Sequence, residues 1–213
     1  KNEGHITEFL YNKGIKVARL LKTKNNDFVV IADNHQITVQ EFIEGDTLKL
    51  NTAPDWFLVM SAEFLGKVNR LLCDYSELPT SFGKEFFCRD TVAQKRQNYE
   101  NELIKAKENG DINISLQWQE QIDHLNRIVE FCIETDKLTY ANSHGDYHIG
   151  QTILNDTEIT VIDWISACRL PVCLEVITSY VFASPKCIDG VIDVEELKFY
   201  ISHYTKYFTL TNY

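Results

Sequence analysis

Residues 143–164, SHGDYHIGQTILNDTEITVIDW, constrain the fold more than any other stretch of this chain. Two runs rich in β-branched residues, 151–155 and 158–164, flank Asn155-Asp156-Thr157, a cluster of turn formers. This pattern predicts a tight β-hairpin, entered through a polar loop that carries His144, Asp146, His148 and Gln151. A hairpin returns its two ends to one neighbourhood, so Asp163 at the end of the second run should converge with Asp146 and Gln151.

Two carboxylates and an amide oxygen are hard donors, suited to Mg²⁺ rather than Zn²⁺. One carboxylate can ligate while the other acts as a base towards a hydroxyl, which is the equipment of phosphoryl transfer. A zinc site built from His144 and His148 is the competing reading, but it lacks thiolates and an HExxH frame.

The flanking sequence predicts a helix over residues 3–13, closed by Gly14, because Ile6, Phe9 and Leu10 fall at helical spacing. Stretches 17–23, 28–33 and 35–45 read as three antiparallel strands, the first two joined at Asn25-Asn26-Asp27. Beyond Gly45 the period becomes helical. Helices are expected over 55–72, 90–109, 113–135, 174–182 and 194–208, the last capped by Asp193. Asn109-Gly110-Asp111 breaks the two charged helices. The layout is a small β-rich lobe, a linker near 43–50, and a larger helical lobe holding one hairpin.

With 31 acidic against 21 basic residues, the formal charge of −10 repels phosphate backbones and anionic membranes. The densest basic cluster is the pair Lys95-Arg96, so neither a nucleic-acid nor a membrane partner is expected. Six cysteines form no CxxC pair and mostly have apolar neighbours, as expected of reduced thiols in a cytoplasmic protein. No apolar run reaches the roughly 18 residues of a membrane span. Trp56, Trp118 and Trp164 are expected in the core or at a lobe interface, whereas Tyr147 could face either the core or an acceptor pocket.

The segment His144-Gly145-Asp146-Tyr147-His148-Ile149-Gly150-Gln151 resembles the HGDxHxxN motif of the aminoglycoside phosphotransferase and choline kinase superfamily. VIDW at 161–164 resembles the metal-binding strand of the same family, and TVQEFIEGDTL at 38–48 its strand-to-linker segment. LGKVNRLL at 65–72 resembles its LGxLHxxL helix, with Asn69 where His is usual, and RLPVCLEVITSY at 169–180 the helix start after the metal strand.

The resemblance implies an α+β, protein-kinase-like two-lobed fold. Residues 1–45 would be a truncated β-rich N-lobe ending at the hinge, and 46–213 a mainly helical C-lobe with the catalytic hairpin. It implies ATP or GTP as phosphoryl donor, Mg²⁺ as cofactor, and a hydroxyl of a small polar molecule as acceptor. Asp146 would be the catalytic base, with Asp163 and Gln151 the metal ligands and His144 and His148 bracing the loop. The Glu41 carbonyl and Ile43 amide would hold the purine. Glu3 would stand where the family's helix glutamate pairs with a nucleotide-binding lysine, and Glu175 at a structural acidic position.

Two departures matter. Gln151 replaces the usual Asn, and its extra methylene carries the amide oxygen about 1.5 Å further out. The family's glycine-rich loop and lysine precede the Glu3 helix, so this chain is expected to be a fragment with little activity alone. A non-catalytic, pseudokinase-like binding protein is therefore the alternative. A protein kinase fits less well, since residues 164–175 leave no room for an activation loop. Acidic residues between 90 and 135 (Glu100, Glu102, Glu108, Glu120, Asp123, Glu130) would suit a cationic acceptor, although a chain this acidic carries such faces anyway.

Overall fold

The computed structural model describes residues 2–76, 78–81, 89–130, 134–155, 158–188 and 191–211. The first helix, α1 (Asn2–Asn12), buries Ile6 and Leu10 completely. It ends where Gly14 adopts φ 83°, a left-handed conformation cheap only without a Cβ. The Ile15 N–H then reaches the Leu10 carbonyl at 3.0 Å, satisfying an end-of-helix acceptor.

The three expected N-terminal strands are largely reduced to fragments. Only β1 (Val30–Ala32) and β2 (His35–Ile37) form a ladder, around a two-residue turn at Asp33 and Asn34, both at positive φ. The 17–23 stretch joins through single bridges, Leu20 to Gln40 and Val17 to Val161. The physical reason is a missing packed face: Val30, Ile31, Ile37 and Val39 are all exposed, so nothing buried extends the pairing.

Helix α2 (Asp55–Leu72) occupies the expected span and forms the centre of the core. Phe57, Leu58, Ala62, Leu65, Val68 and Leu72 repeat at three- and four-residue intervals and are buried. Trp56 falls on the opposite face at 44% exposure, outside the core.

Helices α3 (Arg89–Glu108) and α4 (Ile112–Glu130) form a hairpin around Gly110, at φ 72°. They belong to a compact unit of their own, Phe82–Leu138, while Lys1–Ser81 and Thr139–Tyr213 form the other. The expected helix over 113–135 is described only to Glu130, with a short 3₁₀ turn at Thr135–Lys137; residues 131–133 lie outside the described ones.

The predicted hairpin is β4 (Thr152–Asn155) against β5 (Glu158–Val161), in the register Thr152↔Val161 to Asn155↔Glu158. Asp156 and Thr157 of its turn lie outside the described residues. A second antiparallel pair, absent from the sequence reading, frames it: β3 (Tyr140–Ser143) with β6 (Cys168–Pro171). The last two helices are α5 (Val172–Ala183) and α6 (Val194–Tyr204). Asp193 caps α6 by accepting the Glu196 N–H at 3.0 Å, as expected.

Candidate active site

The loop between β3 and β4 is built on a buried histidine. His144 has no exposed surface, and its ring lies 4.6 Å from that of Trp164. Its Nε2–H donates to the Ile162 carbonyl at 2.8 Å, and its Nδ1 accepts the Asp146 N–H at 3.2 Å. Burial holds the imidazole below its ordinary pKa, against the opposing pull of Glu175, the Ile162 carbonyl, Asp146 and Asp163. His144 is therefore a neutral ring tied to the loop backbone through both nitrogens. With both nitrogens engaged it has no lone pair left for zinc. Among the described residues, no group of three or more His, Cys, Asp or Glu side chains could hold a metal ion.

Glu175 of α5 is a buried carboxylate that organises the backbone around Asp146. Its Oε1 accepts the Gly145 N–H at 2.6 Å and the Tyr147 N–H at 3.1 Å, while its Oε2 accepts the Ser143 hydroxyl. Gly145 sits at φ 87°, and a Cβ there would lie 2.0 Å from the Ser166 carbonyl oxygen. The main chain on both sides of Asp146 is thus held, while its side chain remains 52% exposed. Tyr147 turns into the core, its hydroxyl 3.1 Å from Ser61 Oγ and its ring stacked on Phe64. It does not face a pocket.

His148 Nδ1 accepts the Gly150 N–H at 3.0 Å, and its ring edge meets Phe182. Its Nε2 lies 3.9 Å from Asp146 Oδ1. Gln151 donates from Nε2 to Asp146 Oδ2 at 3.4 Å. The loop therefore brings Asp146, His148 and Gln151 together.

Asp163 follows β5 in a left-handed conformation, φ 60° and ψ 60°, which Asp tolerates better than most residues. That turn leaves Asp163 exposed while its neighbour Trp164 is buried. The Glu3 carboxyl is held above its ordinary range chiefly by burial, then by the charge of Asp163, although it accepts the Trp164 N–H. Glu3 is thus beside the Asp163 turn, and the charges of both Asp146 and Asp163 reach the His144 ring. Asp163 and Asp146 are exposed carboxylates and Gln151 is half-buried, hard-oxygen donors of the kind Mg²⁺ takes, and the charge of Asp163 reaches Glu3.

A profile of the phosphotransferase enzyme family matches residues 1–201. The chain belongs to that family. A search of curated proteins finds no match. Among solved structures, the amicoumacin kinase hAmiN, in complex with AMP-PNP, Ca²⁺ and Ami, is 15% identical over 96% of this chain and 59% of its own, with a TM-score of 0.60. The spectinomycin phosphotransferase APH(9)-Ia, in complex with ADP and spectinomycin, is 18% identical over 99% and 64%, with a TM-score of 0.59. Choline kinase from Cryptosporidium parvum Iowa II is 15% identical over 96% and 60%, with a TM-score of 0.56. The chain therefore spans about three-fifths of the length of these structures, which share its α+β, kinase-like fold.

In this phosphotransferase-family chain the hinge candidates lie on the segment after β2. Glu41 donates its N–H to the Arg19 carbonyl at 2.9 Å, and its carboxylate pairs with the Arg19 guanidinium. That hydrogen bond holds the Glu41 carboxyl below its ordinary range. Among the described residues, the Glu41 carbonyl and the Ile43 N–H have no hydrogen-bond partner. A cavity of about 410 Å³ is lined by Glu3, Leu20, Phe28, Thr38 and Ile165. A larger one, about 550 Å³, lies between the starts of α2 and α6, and no candidate site residue lines it. Of the acidic residues expected to attract a cationic acceptor, Glu100 and Glu102 already pair with Arg96 and Lys105.

The sequence reading missed three anchoring residues. Asn142 donates to the Leu72 and Ser76 carbonyls and accepts the Leu78 N–H. Asn51 donates to the carbonyls of Val181, Ser184 and Cys187, tying the linker to the end of α5. Ser143 reaches Glu175. Each is a small polar residue whose partners are distant in sequence, and no local pattern marks them.

Proposed function

We propose that this chain is the greater part of a small-molecule kinase, moving the γ-phosphate of ATP or GTP to a hydroxyl of a small polar acceptor. The observation that carries this reading is the exposed Asp146 carboxylate on a backbone locked by Glu175 and His144. An oxygen base that is rigid yet accessible can orient an alcohol and take its proton as the phosphorus–oxygen bond forms. Asp163 and Gln151 would hold Mg²⁺, which supplies neutralisation of polyphosphate charge. The unpartnered Glu41 carbonyl and Ile43 amide offer one acceptor and one donor to a purine edge. Residues 1–45 would act as the N-lobe and 46–213 as the C-lobe. Among the described residues no lysine or arginine pairs with Glu3, whose carboxyl is held above its ordinary range.

The second reading, a binding protein that has lost the reaction, draws on Gln151. Its amide N–H, rather than its oxygen, faces Asp146 and occupies a carboxylate lone pair.

A thermal-shift screen against MgATP, MgGTP, aminoglycosides, choline and homoserine, followed by phosphate-transfer assays on the protein carrying this chain, tests both readings. The kinase reading expects nucleotide stabilisation, and transfer that falls about 10²–10⁴-fold in Asp146→Asn. Stabilisation with no transfer to any acceptor favours the binding protein. Transfer that is unchanged in Asp146→Asn removes the base assignment.

A further inference from the structure

A directional chain of buried hydrogen bonds runs from α6 to the loop that carries Asp146. The Tyr204 hydroxyl donates to Asn69 Oδ1 at 2.9 Å. Asn69 Nδ2 donates to Ser143 Oγ at 2.6 Å and to the Asn142 carbonyl at 3.0 Å. The Ser143 hydroxyl, its oxygen already accepting from Asn69, sends its one proton to Glu175. Glu175 in turn accepts the N–H groups of Gly145 and Tyr147, the two neighbours of Asp146. All four side chains in the relay are buried.

The polarity of this relay is forced. Asn69 has both its donors and its acceptor engaged, and a flipped amide would set its oxygen against the Asn142 carbonyl. With Asn69 fixed, Ser143 cannot donate back to it and must donate to Glu175. That bond orients Oε2, and the rigid carboxylate then directs Oε1 at the two loop amides. A buried polar chain with every member satisfied holds its geometry more tightly than its single bonds would.

We propose that Asn69 and Ser143, backed by Tyr204, are positioning residues that set the angle at which Asp146 meets its substrate. Only the kinetic part of this inference rests on the proposed transferase reading. Neither residue touches the reacting atoms; each acts through Glu175 and the loop backbone.

The test compares Ser143→Ala and Tyr204→Phe with Tyr180→Phe, which removes a buried hydroxyl bonded to the Asp193 carbonyl and Glu196, away from this relay. Amide hydrogen exchange at Gly145 and Tyr147 should accelerate about tenfold in Ser143→Ala, less in Tyr204→Phe, and not at all in Tyr180→Phe. In the active protein, Ser143→Ala should lower kcat about tenfold while the nucleotide KM stays within about twofold. The inference is overturned if the two amides respond alike to Ser143→Ala and Tyr180→Phe, or if KM rises while kcat holds. Should the parent protein transfer no phosphate, the proposed function fails alone, and the exchange measurement still decides this one.

Discussion

The Gln151 amide donates to Asp146 Oδ2 at 3.4 Å, so the side chain expected to lend an oxygen to a metal instead presents a nitrogen to the Asp146 carboxylate. Two consequences follow from the extra methylene. The amide reaches far enough to touch Asp146, and turning its oxygen to that side means giving up the contact. In Gln151→Asn the oxygen sits about 1.5 Å further back and the competing contact is lost. The half-saturating Mg²⁺ concentration for transfer should fall, by on the order of tenfold. A Mg²⁺ titration that superimposes on that of the parent, at equal turnover, shows that position 151 is not a ligand.

Gly145→Ala combines two penalties. The left-handed backbone at φ 87° costs a residue with a Cβ about 1–2 kcal/mol, and the new atom would stand 2.0 Å from the Ser166 carbonyl. The loss should reach about 3 kcal/mol or more, seen as a lower urea midpoint. Gly14→Ala is the matched control, since φ is 83° there but nothing lies within 4 Å. It should lose only the backbone share, about 1–2 kcal/mol. Equal losses at the two positions would mean that the Ser166 contact relaxes at little cost.

Glu3 makes stability depend on pH in a direction that can be worked out. Its carboxyl is held above the ordinary value of 4.5 by burial and by Asp163, so the fold favours its protonated form. That contribution is complete below the unfolded value and is lost as pH rises through the higher, folded one. Glu3→Gln carries no charge at any pH. The melting temperature of the parent should therefore fall relative to Glu3→Gln as pH rises from the acidic side of 4.5 to neutrality. Mg²⁺ should narrow the gap if it binds at Asp163. A gap that is constant with pH removes the burial and repulsion assigned to Glu3.

What could be read from the sequence was whatever has a local signature. The α2 stripe, the Gly14 and Asp193 caps and the β4–β5 hairpin depend on spacings and turn formers within one segment. The loop with Asp146, His148 and Gln151 was legible for the same reason, since the three sit within six consecutive residues of one motif. The β3–β6 pair was not, because four-residue strands far apart in sequence have no turn to announce them. The short N-terminal strands were overread: β-branched residues promise a ladder only where a packed face rewards it. Asn69 stood out only as a departure from a familiar helix pattern, and its bonds to Ser143 and Tyr204 emerge from packing alone.

Glu175 offers the most direct test of what holds the Asp146 loop. Glu175→Ala leaves two backbone N–H groups and the Ser143 hydroxyl without their acceptor in a buried site. The cost of those unmet donors should be about 3–5 kcal/mol in a denaturant titration. Glu175→Gln keeps one oxygen, enough for the Gly145 and Tyr147 amides, and sets an NH₂ against the Ser143 hydroxyl, whose proton then loses its acceptor. Its loss should be smaller, about 1–3 kcal/mol, and confined to the Ser143 contact. The order parent, Gln, Ala in stability is therefore expected. Combining Glu175→Gln with Ser143→Ala should lose less than the two separate losses added, because the conflict in the first is with the group removed by the second. Additive losses would mean that the serine and the carboxylate hold the loop independently.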